Sequence, residues 1–252
     1  MPEAGKKPHL LILGGAEEAY VLAEALVGRD DLRVTSSLAG ATSDPRLPAG
    51  AHRIGGFGGV EGLRAWLVAE RVALIVDASH PFALRITAQA HEAAMAVGCR
   101  YLRLERPAWR PEAGDRWHHV ADLQAAIKQL RQIKAKRVFA ALGARAMPQL
   151  EGVAMQFVVR GIEPPAALPE NVAWLSARGP FTVADERRLL EAHGIDTVLC
   201  RNSGGEQGRA KLDAARALGL AVVLIERHVA AASNEVGGVP EVLAAAEELV
   251  GG

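Results

Sequence analysis

The sequence predicts an α/β protein of two domains, each with a mainly parallel sheet. Strand-like and helix-like segments alternate along the chain, which is typical of repeated strand–helix–strand units. Strands such as VALIVDA (72–78) are apolar on both faces, so helices are expected to cover both sides of a sheet. The irregular stretch RPAWRPEAGDRWHH (106–119) predicts the crossing between domains 1–115 and 116–252. Two such domains form an inter-domain cleft, a favoured place for a ligand.

The individual elements follow from the hydrophobic pattern. Short apolar runs predict strands, and longer stretches with apolar residues three or four positions apart predict helices. The expected strands are 9–14, 32–38, 72–78, 100–105, 137–143, 154–160, 172–177, 196–201 and 220–226. The expected helices are about 18–28, 60–70, 83–97, 121–132, 183–193, 207–218 and 239–250.

Composition excludes several classes of protein. The 29 basic residues balance 29 acidic ones, whereas a nucleic-acid binder carries excess positive charge. No apolar run is long enough to span a bilayer, and the polar N-terminus does not fit a signal peptide. Only two cysteines occur, both in or beside apolar runs, so a disulfide framework is not expected. The sequence therefore predicts a soluble, cytoplasmic protein that binds neither nucleic acid nor membranes, and it leaves the oligomeric state open.

The first strand ends in the turn LILGGAEEA, which is close to a dinucleotide-binding loop. Gly14, Ala16 and Ala19 hold the three small-residue positions of that fingerprint, and Gly15 is added inside the turn. Glu17 and the glutamate after it fall in the first helical turn, where a carboxylate is favoured by the helix dipole but repels a phosphate. A nucleotide site and a purely structural turn both remain open from this loop alone.

The second strand indicates which dinucleotide would bind. A site selective for NAD usually has an acid about 20 residues beyond the glycines. Here the chain has Thr35, Ser36 and Ser37 instead, and hydroxyl groups tolerate a 2′-phosphate. If a dinucleotide binds, NADPH is therefore expected rather than NADH.

Two further loops join the predicted cofactor site. GGFGG, which includes Gly56 and Phe57, precedes a helix and can present its amides to an anion or cofactor. In DASHPF, Asp77 ends a buried strand, and His80 with Pro81 shapes the next turn. His80 is a weak candidate for an acid catalyst, although a histidine in such a turn is more often a structural group.

The second half carries a polar loop, RNSGG, at a helix N-terminus. Cations at strand ends and in neighbouring loops indicate a polyanionic ligand, whereas solvated surface charge is the usual alternative for a single arginine. The residues in question are Arg201, Asn202, Ser203, Gly204, Gly205, Arg209 and Lys211, with Arg106, Arg110, Arg160 and Arg178 elsewhere.

Several chemistries lack their motifs. The sequence contains no G-x-S-x-G elbow and no Walker A loop. Its histidines and cysteines lack zinc-ligand spacing, so no metal site is expected. The Tyr-x-x-x-Lys pair of short-chain dehydrogenases is also missing.

The loops, in this order, resemble those of the precorrin-6A reductases of cobalamin biosynthesis. Each motif alone is weak, but the set is specific and runs from Leu10 to about Arg216. The matching pieces are LILGGAEEAYVLAEAL, SSLAGAT, RIGGFGGVEGL, IVDASHPFA, LRLERPAW, RGPF and RNSGG followed by AKLDAAR.

The resemblance implies two Rossmann-like domains, with cofactor and substrate meeting in the cleft. It implies NADPH-dependent reduction of one carbon–carbon double bond of a tetrapyrrole-derived polycarboxylate, giving precorrin-6B; the anaerobic branch uses the cobalt-containing substrate. The cofactor residues expected are Gly14, Gly15, Ala16, Glu17, Ser36, Ser37, Gly56, Phe57, Asp77, His80 and Pro81. The substrate residues expected are Arg106, Trp109, Arg178, Arg201, Asn202, Ser203, Gly204, Gly205 and Lys211.

The sequence also departs from the family pattern. Ala41 stands where a polar or basic residue is frequent, which leaves Arg46 or Arg53 to meet a 2′-phosphate. Arg201 replaces a common Lys, and no residue identifies itself as the proton donor. A methyltransferase of the same pathway that binds S-adenosylmethionine, and a non-enzymatic NADPH sensor, are the alternatives.

Overall fold

The computed structural model describes residues 7–40, 45–227 and 234–251. Every expected strand and helix is present close to its expected bounds, so the α/β class is confirmed. The strands are β1 (His9–Leu13), β2 (Arg33–Leu38), β3 (His52–Ile54), β4 (Val72–Asp77), β5 (Arg100–Leu104), β6 (Arg116–Val120), β7 (Arg137–Ala141), β8 (Gln156–Gly161), β9 (Val172–Ser176), β10 (Thr197–Arg201), β11 (Ala221–Ile225) and β12 (Glu235–Val236). The helices are α1 (Glu17–Leu26), α2 (Gly59–Glu70), α3 (Leu84–Val97), α4 (Leu123–Gln132), α5 (Val183–Ala192), α6 (Ala210–Ala217) and α7 (Val239–Gly251), with a 3₁₀ helix at Ala144–Gln149.

The first sheet is parallel throughout, in the order β12-β5-β4-β1-β2-β3. Its central strand β1 is buried on both faces, as the apolar sequence predicts. Leu10 and Ile12 pack in the cluster that includes α1 and α7, while Leu11 and Leu13 pack in the cluster that includes α2 and α3. The apolar layers on the two faces hold β1 rigidly, which fixes where its C-terminal turn lies.

The second sheet repeats this plan in the order β6-β11-β10-β7-β8-β9, again with every pair parallel. Val198 and Leu224 on its central strands pack with Leu190 of α5 and Leu212 of α6. Position by position, the strand order is the same as in the first sheet, except that the edge strand β6 comes first in its unit whereas β12 comes last. Both sheets therefore have the doubly wound order of nucleotide-binding α/β folds.

The chain forms two compact units whose bounds differ from the expected domains. The first unit holds the described residues up to Arg106 together with β12 and α7, and the second begins at Pro107. The C-terminal elements belong to the first unit because β12 pairs with β5 and α7 packs in the core beside α1. Residues after Pro107 belong to the second because Asp115 pairs with Arg216 of α6 at 2.9 Å.

The three strands absent from the expectation are short and lie at or next to sheet edges. β3 (HRI) and β12 are too short to show alternation, and β6 (RWHHV) carries two histidines. An edge strand can keep polar side chains because one of its sides faces away from the sheet. The expectation of an irregular stretch over 106–119 is therefore wrong for its last residues, which form β6.

The described part of the chain also bears on membranes, redox chemistry and metals. No helix within it is long and apolar enough to cross a membrane.

Cys99 and Cys200 are free and buried, and burial raises the pKa of each thiol to about 11. Both thiols are therefore protonated at neutral pH, which makes them poor nucleophiles. Among the residues that the structure describes, no three His, Cys, Asp or Glu side chains are grouped to hold a metal ion.

Candidate functional site

Each sheet has one position where the strand order reverses. In the first unit this switch point lies between β1 and β4, and in the second it lies between β7 and β10. The loops that leave two such neighbouring strands diverge to opposite faces of the sheet, which opens a crevice at their carboxyl ends. The loops after these four strands are therefore the first places to look for ligand contacts.

At the first switch point the glycine turn is pinned between its neighbours. The Gly14 amide donates to the Ser37 carbonyl at 2.8 Å, and the Ala16 amide donates to the Ala78 carbonyl at 3.2 Å. A Cβ on Gly14 would lie 2.9 Å from the Leu38 side chain and 3.3 Å from the Ser37 carbonyl oxygen, so a larger residue would require the Leu38 side chain to shift. Gly15 has φ +148°, which disfavours side-chain-bearing residues. The turn keeps its shape although the G-x-G-x-x-G pattern is incomplete.

Both glutamates of this turn are paired with arginines. Glu17 accepts from Arg46 at 2.9 Å, and Glu18 accepts from Arg106 at 2.7 Å. The repulsion of a phosphate expected from two bare carboxylates is therefore largely compensated. Arg106, expected among the substrate residues, lies in the first unit beside the cofactor turn.

Asp77 supports a loop and is not exposed to a ligand. It is completely buried, and its Oδ1 accepts from the Ser79 amide at 3.0 Å and from Arg103 at 2.8 Å. Its Oδ2 accepts from the Tyr101 hydroxyl at 3.0 Å, and burial together with Asp77 raises the pKa of Tyr101. The cofactor contact expected of Asp77 stays an untested prediction, and its carboxylate is engaged within the protein. The carboxylate fixes the backbone that leads into His80.

His80 lies beside the glycine turn, with its backbone amide 3.2 Å from the position of a Cβ on Gly15. Its Nδ1 accepts a hydrogen bond from the Phe82 amide at 3.2 Å. The neutral ring therefore carries its proton on Nε2. Pro81 is buried and follows in the same turn. The hydrogen bond at Nδ1 thus holds the neutral histidine in one tautomer.

Ser36 and Ser37 lie within β2, before its carboxyl end. Ser36 is 2% exposed, and its hydroxyl has no hydrogen-bond partner among the described residues. Ser37 is also buried, and its hydroxyl accepts from Arg53 at 2.8 Å. Direct contact of Ser36 with a cofactor is not supported, because β2 continues beyond it to Leu38. Ala41 lies outside the described residues.

The GGFGG loop forms an open surface next to Ser37. The Arg53 guanidinium stacks on the Phe57 ring at 3.8 Å and donates to the carbonyls of Gly55 at 2.9 Å and Gly56 at 3.0 Å. A Cβ on Gly56 would meet no atom within 4 Å, so the space beside the loop is open. Sequence reasoning named Gly56 and Phe57 but gave Arg53 only a secondary role.

In the second unit, Asn202 and Trp109 build the RNSGG loop. Asn202 is 2% exposed, and its Oδ1 accepts from the Trp109 amide at 2.8 Å. Its Nδ2 donates to the Trp109 carbonyl at 3.2 Å and to Glu226 at 3.1 Å. The Trp109 indole is 6% exposed and donates to the Gly205 carbonyl at 2.8 Å. These contacts bury both side chains and give them a structural role, so the substrate contact expected of Asn202 and Trp109 stays an untested prediction.

Gly204 and Lys211 are also fixed by this packing. Gly204 has φ +65°, and a Cβ on it would lie 2.3 Å from the Pro107 carbonyl oxygen. The Lys211 ammonium donates to the Gly208 carbonyl at 2.5 Å and lies 4.9 Å from the centre of the Trp109 ring. Lys211 is buried, and the substrate contact expected of its ammonium group stays an untested prediction.

Two arginines lie at the second switch point. Arg201 ends β10 and donates to the Leu142 carbonyl, beyond β7, at 3.5 Å. Burial and the nearby charge of Arg145 both lower the pKa of Arg201. Arg145, which makes no ion pair with a described carboxylate, was missed from the sequence. The signal was the turn ALGAR, which repeats the apolar strand and Leu-Gly turn of LILGG.

The RGPF loop packs on a buried ion pair through its Phe181 ring. Arg160 bonds both carboxylate oxygens of Glu186, at 2.6 and 3.1 Å, and Glu186 is 2% exposed. The Arg160 guanidinium also stacks on the Phe181 ring at 3.6 Å. Arg178 at the start of the loop is exposed, and Ser203 is partly buried. Arg160 therefore positions the loop through its contacts with Glu186 and Phe181.

The fold and the first switch point define a doubly wound α/β protein with a nucleotide-binding type of glycine turn. A family model described as Precorrin-6x reductase CbiJ/CobK matches residues 9–247. The chain belongs to this family, so it is an oxidoreductase of the class that acts on CH–CH groups. The resemblance drawn from the loop motifs is confirmed.

Individual relatives agree with the family. A "Precorrin-6A reductase" of Rhodococcus erythropolis is 47% identical over 220 residues, covering 86% of this chain and 88% of the relative. One from Sinorhizobium sp is 43% identical over 247 residues, covering 95% and 93%. The solved structure "CobK precorrin-6A reductase" covers 96% of this chain and 97% of that one, with a TM-score of 0.91 and 38% identity. A "Cobalt-precorrin-6A reductase" of Synechocystis sp. is 28% identical over 235 residues, covering 86% and 87%.

Proposed function

We propose that this chain reduces precorrin-6A to precorrin-6B in cobalamin biosynthesis, with NADPH as reductant, in the cytoplasm. The observation that carries the cofactor assignment is the first switch point, where the glycine turn, the paired glutamates and His80 converge. The family assignment favours this function over the methyltransferase and the non-enzymatic sensor.

The cofactor fits the first switch point for two physical reasons. The turn exposes backbone at Gly15 and leads into α1, and a helix N-terminus favours an anion such as a pyrophosphate. Arg46 and Arg106 compensate the acidic side chains, so the net charge beside this helix end is not negative. Gly14, Gly15 and Ala16 would hold the pyrophosphate region.

The substrate fits the second unit through its carboxylates. Arg145 and Arg201 are close enough for each charge to affect the other, and such a pair is stabilised by an anion placed between them. Arg178 offers a third guanidinium, and Ser203 a hydroxyl, to other substituents of the macrocycle. Because guanidinium groups bind carboxylates in a bidentate way, several of them would fix the orientation of the ring.

The reaction requires one hydride and one proton to be added to neighbouring carbons of the double bond. NADPH would supply the hydride when bound. The protein would orient the nicotinamide toward the carbon of the double bond that accepts the hydride. His80, held at Nδ1 beside the glycine turn, is the candidate to position the proton donor. Water or a substrate carboxylate would supply the proton itself, because a neutral imidazole is too weak an acid to give up its remaining proton.

Metal-free precorrin-6A is proposed over its cobalt form. The relatives at 43–47% identity carry the metal-free name, whereas the cobalt-named relative is 28% identical.

The test is an anaerobic assay of NADPH oxidation with precorrin-6A and with cobalt-precorrin-6A. The proposal expects turnover with NADPH and faster turnover of the metal-free substrate. Arg187→Met, which removes an exposed charge on α5, serves as a control and should retain activity. Absence of NADPH oxidation with either substrate would overturn the function. A thermal shift with S-adenosylmethionine but none with NADPH would favour the methyltransferase alternative instead.

A further inference from the structure

Arg53 differs from most of the arginines of the first unit in its partners. Arg29, Arg33, Arg46, Arg64, Arg100, Arg103 and Arg106 each pair with a carboxylate. Arg53 bonds only neutral acceptors, namely the Ser37 hydroxyl and the carbonyls of Gly55 and Gly56. No described carboxylate lies within ion-pair distance of it. Among the residues that the structure describes, its partly buried charge therefore has no anionic partner.

The guanidinium of Arg53 is held in place but retains donors. Its three hydrogen bonds use both hydrogens of Nη1 and one of Nη2, which leaves Nε–H and one Nη2–H. The Phe57 ring supports it from one side at 3.8 Å. Burial lowers the pKa of Arg53, which is the direction expected where no anion compensates the charge. A second anion with acceptor oxygens would satisfy both the charge and the free donors.

The position of Arg53 identifies the anion. It lies on β3, paired in register with Ser37 of β2, near the carboxyl ends of both strands. In doubly wound folds the chain after β2 contacts the ribose that carries the 2′ substituent, and an arginine there accommodates a 2′-phosphate. Ser37 accepts from Arg53 and so keeps its own hydroxyl hydrogen to donate. The surface beside Gly56 is open, so the phosphate can approach.

We infer that Arg53, held by Ser37 and Phe57, binds the 2′-phosphate of NADPH and determines the choice of NADPH over NADH. The inference rests on the proposed use of a nicotinamide dinucleotide. Arg53, and not Ser36 or Ser37, is then the main source of the selectivity for NADPH, because a guanidinium carries a charge and a hydroxyl group does not. Arg46 is not required for this role, since Glu17 already pairs with it.

The test compares dissociation constants of NADPH and NADH for the wild type, Arg53→Met and Arg53→Lys, by cofactor fluorescence. Methionine keeps the apolar packing on Phe57 but removes the charge. NADPH binding should weaken about ten- to one-hundred-fold, the range for one charge-assisted contact, while NADH binding changes by less than about threefold. Lysine should recover part of the loss because it restores charge without the planar fork. Arg33→Met, at the opposite end of β2, is the matched control and should change neither value.

A competition measurement on the wild type does not depend on how any variant folds: adenosine 2′-monophosphate should compete with NADPH more strongly than adenosine 5′-monophosphate. Arg53→Met, whose retained NADH affinity shows that it folds, should abolish that difference. Equal weakening of both cofactors, or unchanged selectivity, would overturn the inference and leave the proposed function standing. Failure of the wild type to bind NADPH would overturn the proposed cofactor and this inference together.

Discussion

Replacing Asn202 with alanine should damage the stability of the second unit more than it damages chemistry. The side chain is 2% exposed and joins the linker at Trp109 to Glu226 beyond β11. Alanine would leave the buried Trp109 amide without its acceptor and would remove a hydrogen bond to a carboxylate. An unsatisfied buried donor costs about 1–3 kcal/mol, and a bond to a charged group contributes about 1.5–3 kcal/mol. Since the two losses share one site, the expected fall in the free energy of unfolding is about 2–4 kcal/mol.

Urea denaturation followed by tryptophan fluorescence measures this loss, because Trp109 lies in the affected core. Ser203→Ala in the same loop is the matched comparison, and it should lower kcat/KM with a change in stability below about 1 kcal/mol. Asn202→Asp keeps an acceptor for the Trp109 amide but sets a second carboxylate against Glu226, so it should also be destabilising. The reasoning would be refuted if Asn202→Ala unfolded at the wild-type urea concentration and lost only turnover.

Three further predictions concern other sites. Arg145→Met should raise KM for the macrocycle about ten- to one-hundred-fold in steady-state assays without changing KM for NADPH, while Arg187→Met changes neither; an effect on NADPH alone would contradict the substrate assignment. Gly56→Leu should keep the wild-type urea midpoint, because the added side chain enters open space, yet weaken NADPH binding at least about tenfold; unchanged binding would place the cofactor elsewhere. Burial lowers the pKa of His9 from 6.5, so protonation opposes folding and the free energy of unfolding should decline as pH falls below about 6.5. In urea titrations His9→Gln should decline less steeply than the wild type, whereas exposed His52→Gln should keep the wild-type slope.

The sequence predicted the elements and the first switch point because their signals are local. Apolar runs bounded by glycine turns mark strands, and a strand buried on both faces fixes the place where its turn emerges. The turn at Gly14 and Gly15 and the loop at His80 were therefore found where the structure has them. The assignment of the chain after residue 233 to the first unit could not be found this way. It depends on β12 pairing with β5, a contact between segments more than one hundred residues apart.

The direction in which a polar side chain points was the least predictable property of the site. Asp77, Asn202 and Lys211 stand at strand ends or in adjoining loops, where ligand contacts are expected, but each turns inward to satisfy a neighbouring loop. Sequence position does not distinguish a residue that binds a ligand from one that supports the backbone beside it. Arg53 was underestimated for the converse reason, since its short strand shows no pattern and its free charge is visible only once its partners are known.

The central claim, that this chain transfers hydride from NADPH to a precorrin-6A double bond, is tested most directly by isotope transfer. NADPH deuterated at the nicotinamide C4, prepared in each stereochemical form, would be incubated anaerobically with precorrin-6A and the protein. The product would then be analysed by mass spectrometry. The account predicts a product with two added hydrogens, one of which is deuterium from one of the two forms of the cofactor. Reduction without deuterium in the macrocycle from either form, or no reduction at all, would contradict it.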